Sequence, residues 1–189
     1  LQIGDTLVGV PELRPDSRYN QDSREVVAHY AIGVDIFKVI AEGKAHGCVE
    51  FNPMDEVDRF TWRMENTQGV SSVMSLLTYA RLVNSGLNEG RLNAELVPRN
   101  RDALVAATSL VPTNTGLLND SCDALALFIF ATDHRAGTIK HLVAEVKKFN
   151  EENKAAGGEV NFALASGNGG VMGAWSEVGE QPEIRVVGW

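Results

Sequence analysis

Positive charge is scarce in this sequence: 17 Lys and Arg stand against 25 Asp and Glu in 189 residues, a net charge of -8. A polyanion-binding surface needs clustered Lys and Arg, and none is visible, so nucleic acid is excluded as an expected partner. Long apolar runs are missing too. No stretch approaches the length that crosses a bilayer, and no basic segment followed by an apolar one opens the chain, which therefore reads as soluble. There is no short repeat and no low-complexity tract. Only two cysteines are present, Cys48 and Cys122, so a single pairing is possible, against the alternative of two separate buried thiols. The chain starts at Leu1 rather than Met, which reads as a processed protein or an excised segment of a larger one.

What is there centres on Cys122 to Thr132, CDALALFIFAT. As an extended segment it puts Leu125, Leu127 and Ile129 on one face and Ala126, Phe128 and Phe130 on the other. Apolar residues on both faces predict a central strand covered above and below, or nearly so. The following DHRAGTIKHLVAEVKKF has Ile139, Leu142, Val143, Val146 and Phe149 at helical spacing and predicts an amphipathic helix. The polar run NEENKAAGG then predicts a turn, and Glu159 to Ala165 a half-buried strand.

The earlier part of the chain has the same rhythm. Leu1 to Tyr19 predicts an extended lead-in; NQDSREVVAHYAIG, from Asn20, predicts a short helix capped at Asp22 or Ser23 with Val26, Val27 and Tyr30 as its stripe. Val34 to Ala41 predicts a strand. A helix follows with Asn52 as cap, Pro53 in first position, Asp55 and Glu56 in its first turn, and Met54, Val57, Thr61 and Met64 inward; Gly69 follows its end. Val70 to Leu76 predicts a second strand. The interval from Leu77 to Ser121 predicts a mostly helical insertion, with LTYARLVNSG turning Tyr79, Leu82 and Val83 inward and stopping at Gly86, and RDALVAATSL closed off by Pro112.

Two β-α-β units in succession predict an α+β fold: a ferredoxin-like β-α-β-β-α-β sandwich, strand order 4-1-3-2, with a helical insertion between strands 2 and 3. The division is residues 1–33 as lead-in and N-terminal helix, 34–165 as the domain with its insertion at about 77–121, and 166–189 as a Gly-rich exit and tail. In this order the end of the first strand lies beside the start of the third, so Cys48 and Cys122 can meet, and a bridge is favoured over separate thiols. It would close a loop of about 74 residues, worth roughly 4 kcal/mol in the chain-entropy model, and would imply an oxidising compartment.

Chemistry finds little support. SGNGG, Ser166 to Gly170, follows a strand but lacks the Lys-Ser/Thr ending of a P-loop and the spacing of a dinucleotide fingerprint. His29, His46, His134 and His141 show no metal-ligand spacing with the cysteines. The acidic group Asp55, Glu56 and Asp58 is accounted for by the helix dipole. No serine sits in a nucleophile elbow and no cysteine has an activating partner. The expectation is no enzyme, no catalytic residues, no metal and no cofactor; a hydrolase or transferase would require His134 or His141 in a cleft with Asp133 or another carboxylate. Phe60, Trp62 and Met64 offer an apolar face for a lipidic ligand, with ordinary core packing the favoured reading.

Together GVDIFKVIAEG, CVEFNPMDEVDRFTWRM, VSSVMSL, LVPRNRDALV, TGLLNDSC, FIFATDHRAGTI and LASGNGGVMGA resemble, in order and spacing, the first large extracytoplasmic loop of exporters of the resistance-nodulation-division (RND) superfamily, in the hydrophobe/amphiphile efflux branch. The resemblance runs from about Pro15 to Ala174. It implies a periplasmic porter domain at the bacterial inner membrane, part of an integral membrane protein that moves a hydrophobic or amphiphilic substrate by proton-driven transport. The implied partners are the remaining transmembrane and periplasmic parts of that transporter, its substrate, and other copies where it assembles as a homo-oligomer. The bridge Cys48–Cys122 is favoured further. Energy-coupling residues would lie in membrane helices outside this segment. Past GVMGAW the polar SEVGEQPEIRVVGW departs from the apolar helix the resemblance would lead into. The alternative is a stand-alone ferredoxin-like module that binds a small ligand or regulates.

Overall fold

The computed structural model describes residues 14, 16–30, 35–92, 95–133 and 135–165. In chain order they form α1 (Arg18–His29), β1 (Asp35–Glu42), a 3-10 turn (Gly47–Val49), α2 (Phe51–Glu65), β2 (Val70–Met74), α3 (Leu76–Leu87), α4 (Arg101–Thr108), a second 3-10 turn (Thr113–Thr115), β3 (Ala124–Ala131), α5 (Ala136–Ala155) and β4 (Asn161–Leu164). The fold is α+β, with one four-stranded sheet in the order β2-β3-β1-β4 and every neighbouring pair antiparallel. The stretch from 1 to 13, Val34 and the tail 166–189 lie outside the described residues.

Pairing of β1 with β3 runs from Asp35↔Ala131 to Glu42↔Ala124, the whole length of both strands. These are the segments richest in β-branched and aromatic residues, which fit a pleated, packed surface. Phe37, Val39 and Ala41 of β1, Leu125, Leu127 and Ile129 of β3, and Phe162 of β4 point to one side, where they meet the inner stripes of α2 and α5. Phe60 of α2 stacks on Phe162 with ring centroids 4.4 Å apart, and Phe149 of α5 meets both rings edge-on at 5.2 Å. Aromatic pairs in such geometries add about 0.5–1.5 kcal/mol beyond the area they bury. The segment between β2 and β3 joins the same core through Leu77, Val97, Leu104, Val111 and Leu117.

Several local expectations are corrected. Helix α1 begins at Arg18, with the Ser17 hydroxyl accepting from Asn20 N, rather than at Asp22 or Ser23. Its Val26 and Tyr30 are exposed, and the Val27 side chain lies outside the described residues. Helix α2 starts at Phe51, so Glu50 and not Asn52 holds the cap position, and Asp55, Glu56 and Asp58 fall beyond the first turn. Strand β2 stops at Met74, and Ser75 takes the cap position of α3, its N–H donating to Thr78 Oγ1 at 3.3 Å. The inner face of α3 is Leu76, Leu77 and Ala80; Tyr79 and Leu82 face outward, Val83 is half-buried, and the helix passes through Gly86 to Leu87. Helix α5 continues through the polar run to Ala155.

That extension has a buried cause. Asn153 is inside, donating from Nδ2 to Glu56 Oε2 at 2.7 Å and to the Val160 carbonyl at 3.1 Å. Glu56, 5 % exposed, also accepts from Glu159 N and Val160 N, both at 2.9 Å. One carboxylate thus ties α2, the end of α5 and the start of β4. The dipole account of Glu56 is overturned. Asp55 pairs with Arg59, and Asp58 with Arg81 of α3.

Candidate functional site

One end of the sheet is closed covalently. The antiparallel pairing of β1 and β3 carries the chain after Glu42 alongside the chain before Ala124: Gly43 N donates to Asp123 O at 2.8 Å, and His46 N to Ser121 O at 2.9 Å. Cys48, in the first 3-10 turn, and Cys122, two residues before β3, are joined as a disulfide with Cα atoms 5.7 Å apart. Both are buried, and Cys122 has φ 53°, in the left-handed region that non-glycine residues rarely adopt. Beside the bridge, Lys44 Nζ lies 2.7 Å from Glu50 and 3.1 Å from Glu159. Those carboxylates hold the Lys44 ammonium above its ordinary pKa, and Lys44 in turn holds Glu50 below the usual carboxylate value. The cleft between these loops and Pro53 has room for about one water, so it suits no organic ligand.

The opposite face of the sheet differs from the expectation of a strand covered on both sides. Alternation turns Ile36, Lys38 and Ile40 of β1, Phe128 and Phe130 of β3, and Met74 of β2 away from the helices. Ile36 is 50 % exposed and the others are half-buried. Register places Ile36 opposite Phe130, Lys38 opposite Phe128, and Met74 on the other side of Phe128. Lys38 Nζ sits 5.2 Å above the Phe128 ring centroid, a cation–π contact. Among the described residues no carboxylate lies within ion-pair distance of it.

The segment between β2 and β3 also exposes large apolar side chains. Tyr79, Leu82, Leu87, Leu92, Leu96 and Leu110 are all exposed there, Leu82 by 70 %. The lipid-facing trio proposed on α2 is split: Phe60 and Met64 are fully buried in the core, while Trp62 is 65 % exposed.

Among the described residues, those singled out for catalysis or metal binding are not assembled. His29 Nδ1 is 2.9 Å from Glu25 O, His46 belongs to the disulfide loop, and His141 is exposed on α5. His134 and Ser166 to Gly170 lie outside the described residues. Asp133 is buried and committed to Arg135, accepting from its backbone N at 3.0 Å and its Nε at 2.9 Å. Burial raises the Asp133 carboxyl, but donation from Arg135 and Thr138 outweighs it and leaves the pKa below the usual value. Among the described residues no three His, Cys, Asp or Glu side chains are grouped to hold a metal ion, and no helix is long and apolar enough to cross a membrane.

Sequence reading missed both the open sheet face and Glu56. For Glu56 a signal existed: it stands four residues before Phe60 and eight before Met64, on the apolar side of α2. For Lys38 the signal was a cation interrupting the alternate apolar positions Ile36 and Ile40. Comparison with known proteins adds no relative: no protein-family model and no curated protein matches this chain.

Proposed function

We propose that this chain is a soluble extracytoplasmic domain of an RND-type membrane exporter, on the periplasmic side of the bacterial inner membrane, binding or guiding a hydrophobic or amphiphilic substrate without covalent chemistry. The observation that carries this reading is the disulfide-closed α+β domain with a half-covered apolar sheet face around Phe128 and exposed leucines on the segment between β2 and β3. A buried bridge suits an oxidising compartment. Exposed apolar side chains, where they adjoin, suit contact with a partner or a lipid-like ligand. The alternation of strands and helices with the sheet order β2-β3-β1-β4 supports a ferredoxin-like sandwich as the finer description. The ordered motif resemblance supports the exporter assignment, with the rest of the transporter as the covalent partner.

Two measurements test it. The encoding gene is expected to carry apolar segments of roughly 20 residues on both sides of this stretch; flanks without them overturn the reading. The chain, made in an oxidising compartment, is expected to deplete from solution a hydrophobic dye such as N-phenylnaphthylamine. A chain that leaves both this dye and long-chain alcohols untouched is not a carrier of amphiphiles.

A further inference from the structure

The open sheet face has one charge in its middle. Ile36 and Phe130 form an apolar row on one side of the Lys38–Phe128 pair, Ile40 lies on the other, and Met74 extends the surface across β2. A lysine in such a place covers apolar surface with its methylene stem while its ammonium stays available at the top. Phe128 holds that ammonium by its ring, which leaves the positive charge unneutralised. The described chain has acidic residues in excess and pairs Lys44, Arg63, Arg81 and Arg135 with carboxylates, yet none of those carboxylates is turned to Lys38.

We propose that this face binds a single-chain amphiphile with an anionic head, the apolar chain lying along β1 over Ile36 and Ile40 and against Phe130, and the head paired with Lys38. The proposal rests on the amphiphile-carrier reading above and narrows it to a site and a sign of charge. The charge preference is informative because the whole chain carries -8 and its field repels anions; a preference for an anionic head has to arise locally. A chain of medium length fits, since the four residue steps from Ile36 to Ile40 span about 13 Å along β1.

The test is binding of three twelve-carbon probes to the full 189-residue chain below their micelle concentrations: dodecanoate, dodecyltrimethylammonium and dodecanol. Titration calorimetry reads affinity and amide chemical shifts read the place. Dodecanoate is expected to bind about tenfold more tightly than the cationic probe at low salt, with shifts at Ile36, Lys38, Phe128 and Phe130. Lys38→Gln is expected to abolish that preference and leave dodecanol binding unchanged, and Lys38→Arg to retain it. Equal affinity for both head groups, a preference that survives Lys38→Gln, shifts confined to α3 and α4, or a stable dimer burying this face would each overturn the site while amphiphile binding stands. Failure of all three probes to bind overturns the site together with the carrier reading.

Discussion

A carboxylate at position 56 accepts three hydrogen bonds from groups about a hundred residues away in sequence, two of them backbone N–H groups next to β4. Removing it strands those donors in the interior, at about 1–3 kcal/mol, with more where the lost acceptor is charged. Glu56→Ala is therefore expected to lower stability by about 3 kcal/mol in urea unfolding, and Glu56→Gln by less, because the amide keeps one acceptor. Asp133 gives a pH signature at the same scale. Its carboxyl pKa is lower folded than unfolded, so its contribution is complete above the unfolded value and fades as pH falls towards the folded one. Urea midpoints are expected to drop between neutral pH and about pH 3, and Asp133→Asn to flatten part of that drop. Equal slopes in the two proteins would show that the Arg135 pairing contributes nothing to folding.

At the scale of elements, the bridge between the first 3-10 turn and the chain before β3 spans a sequence separation of 74, and its loss is expected to cost roughly 4 kcal/mol. Melting with and without reductant, and of Cys48→Ser with Cys122→Ser, measures this; an unchanged midpoint would refute the loop-closure account. Gly69, between α2 and β2, has φ 96°, and a Cβ there would meet Thr138 Cγ2 at 2.8 Å. Gly69→Ala is expected to destabilise by more than 1 kcal/mol through strain and contact together. The start of α3 shows why boundaries were harder to read than elements. VSSVMSL is apolar enough to continue as strand, but the Ser75 N–H finds Thr78 Oγ1 three residues on, and the turn into α3 ends β2 early. The inward face is set by how α3 packs, which buries Leu77 and Ala80 and leaves Tyr79 and Leu82 outside.

At the scale of the molecule, the strand-helix rhythm, the central pairing of the two apolar strands and the meeting of the cysteines were legible, because each follows from hydrophobic period and chain direction. The sidedness of the sheet was not. Leu125-Ala-Leu-Phe-Ile-Phe130 is apolar at every position, and only the three-dimensional stacking of α2 and α5 on one side decides which residues are left over. Asn153 was illegible for a related reason, since it reads as a solvated helix residue until Glu56 is beside it; Glu56 itself was legible from its place on the apolar side of α2.

Because Cys48 and Cys122 flank α2 through the second 3-10 turn and are bonded to each other, residues 48–122 form a covalent ring. A protease that cuts inside it, for example after the exposed Arg91, opens the ring without parting the two pieces. Limited trypsin digestion should then give a single band on an unreduced gel and two after reduction, and the nicked chain should keep the β1–β3 pairing that lies outside the cut.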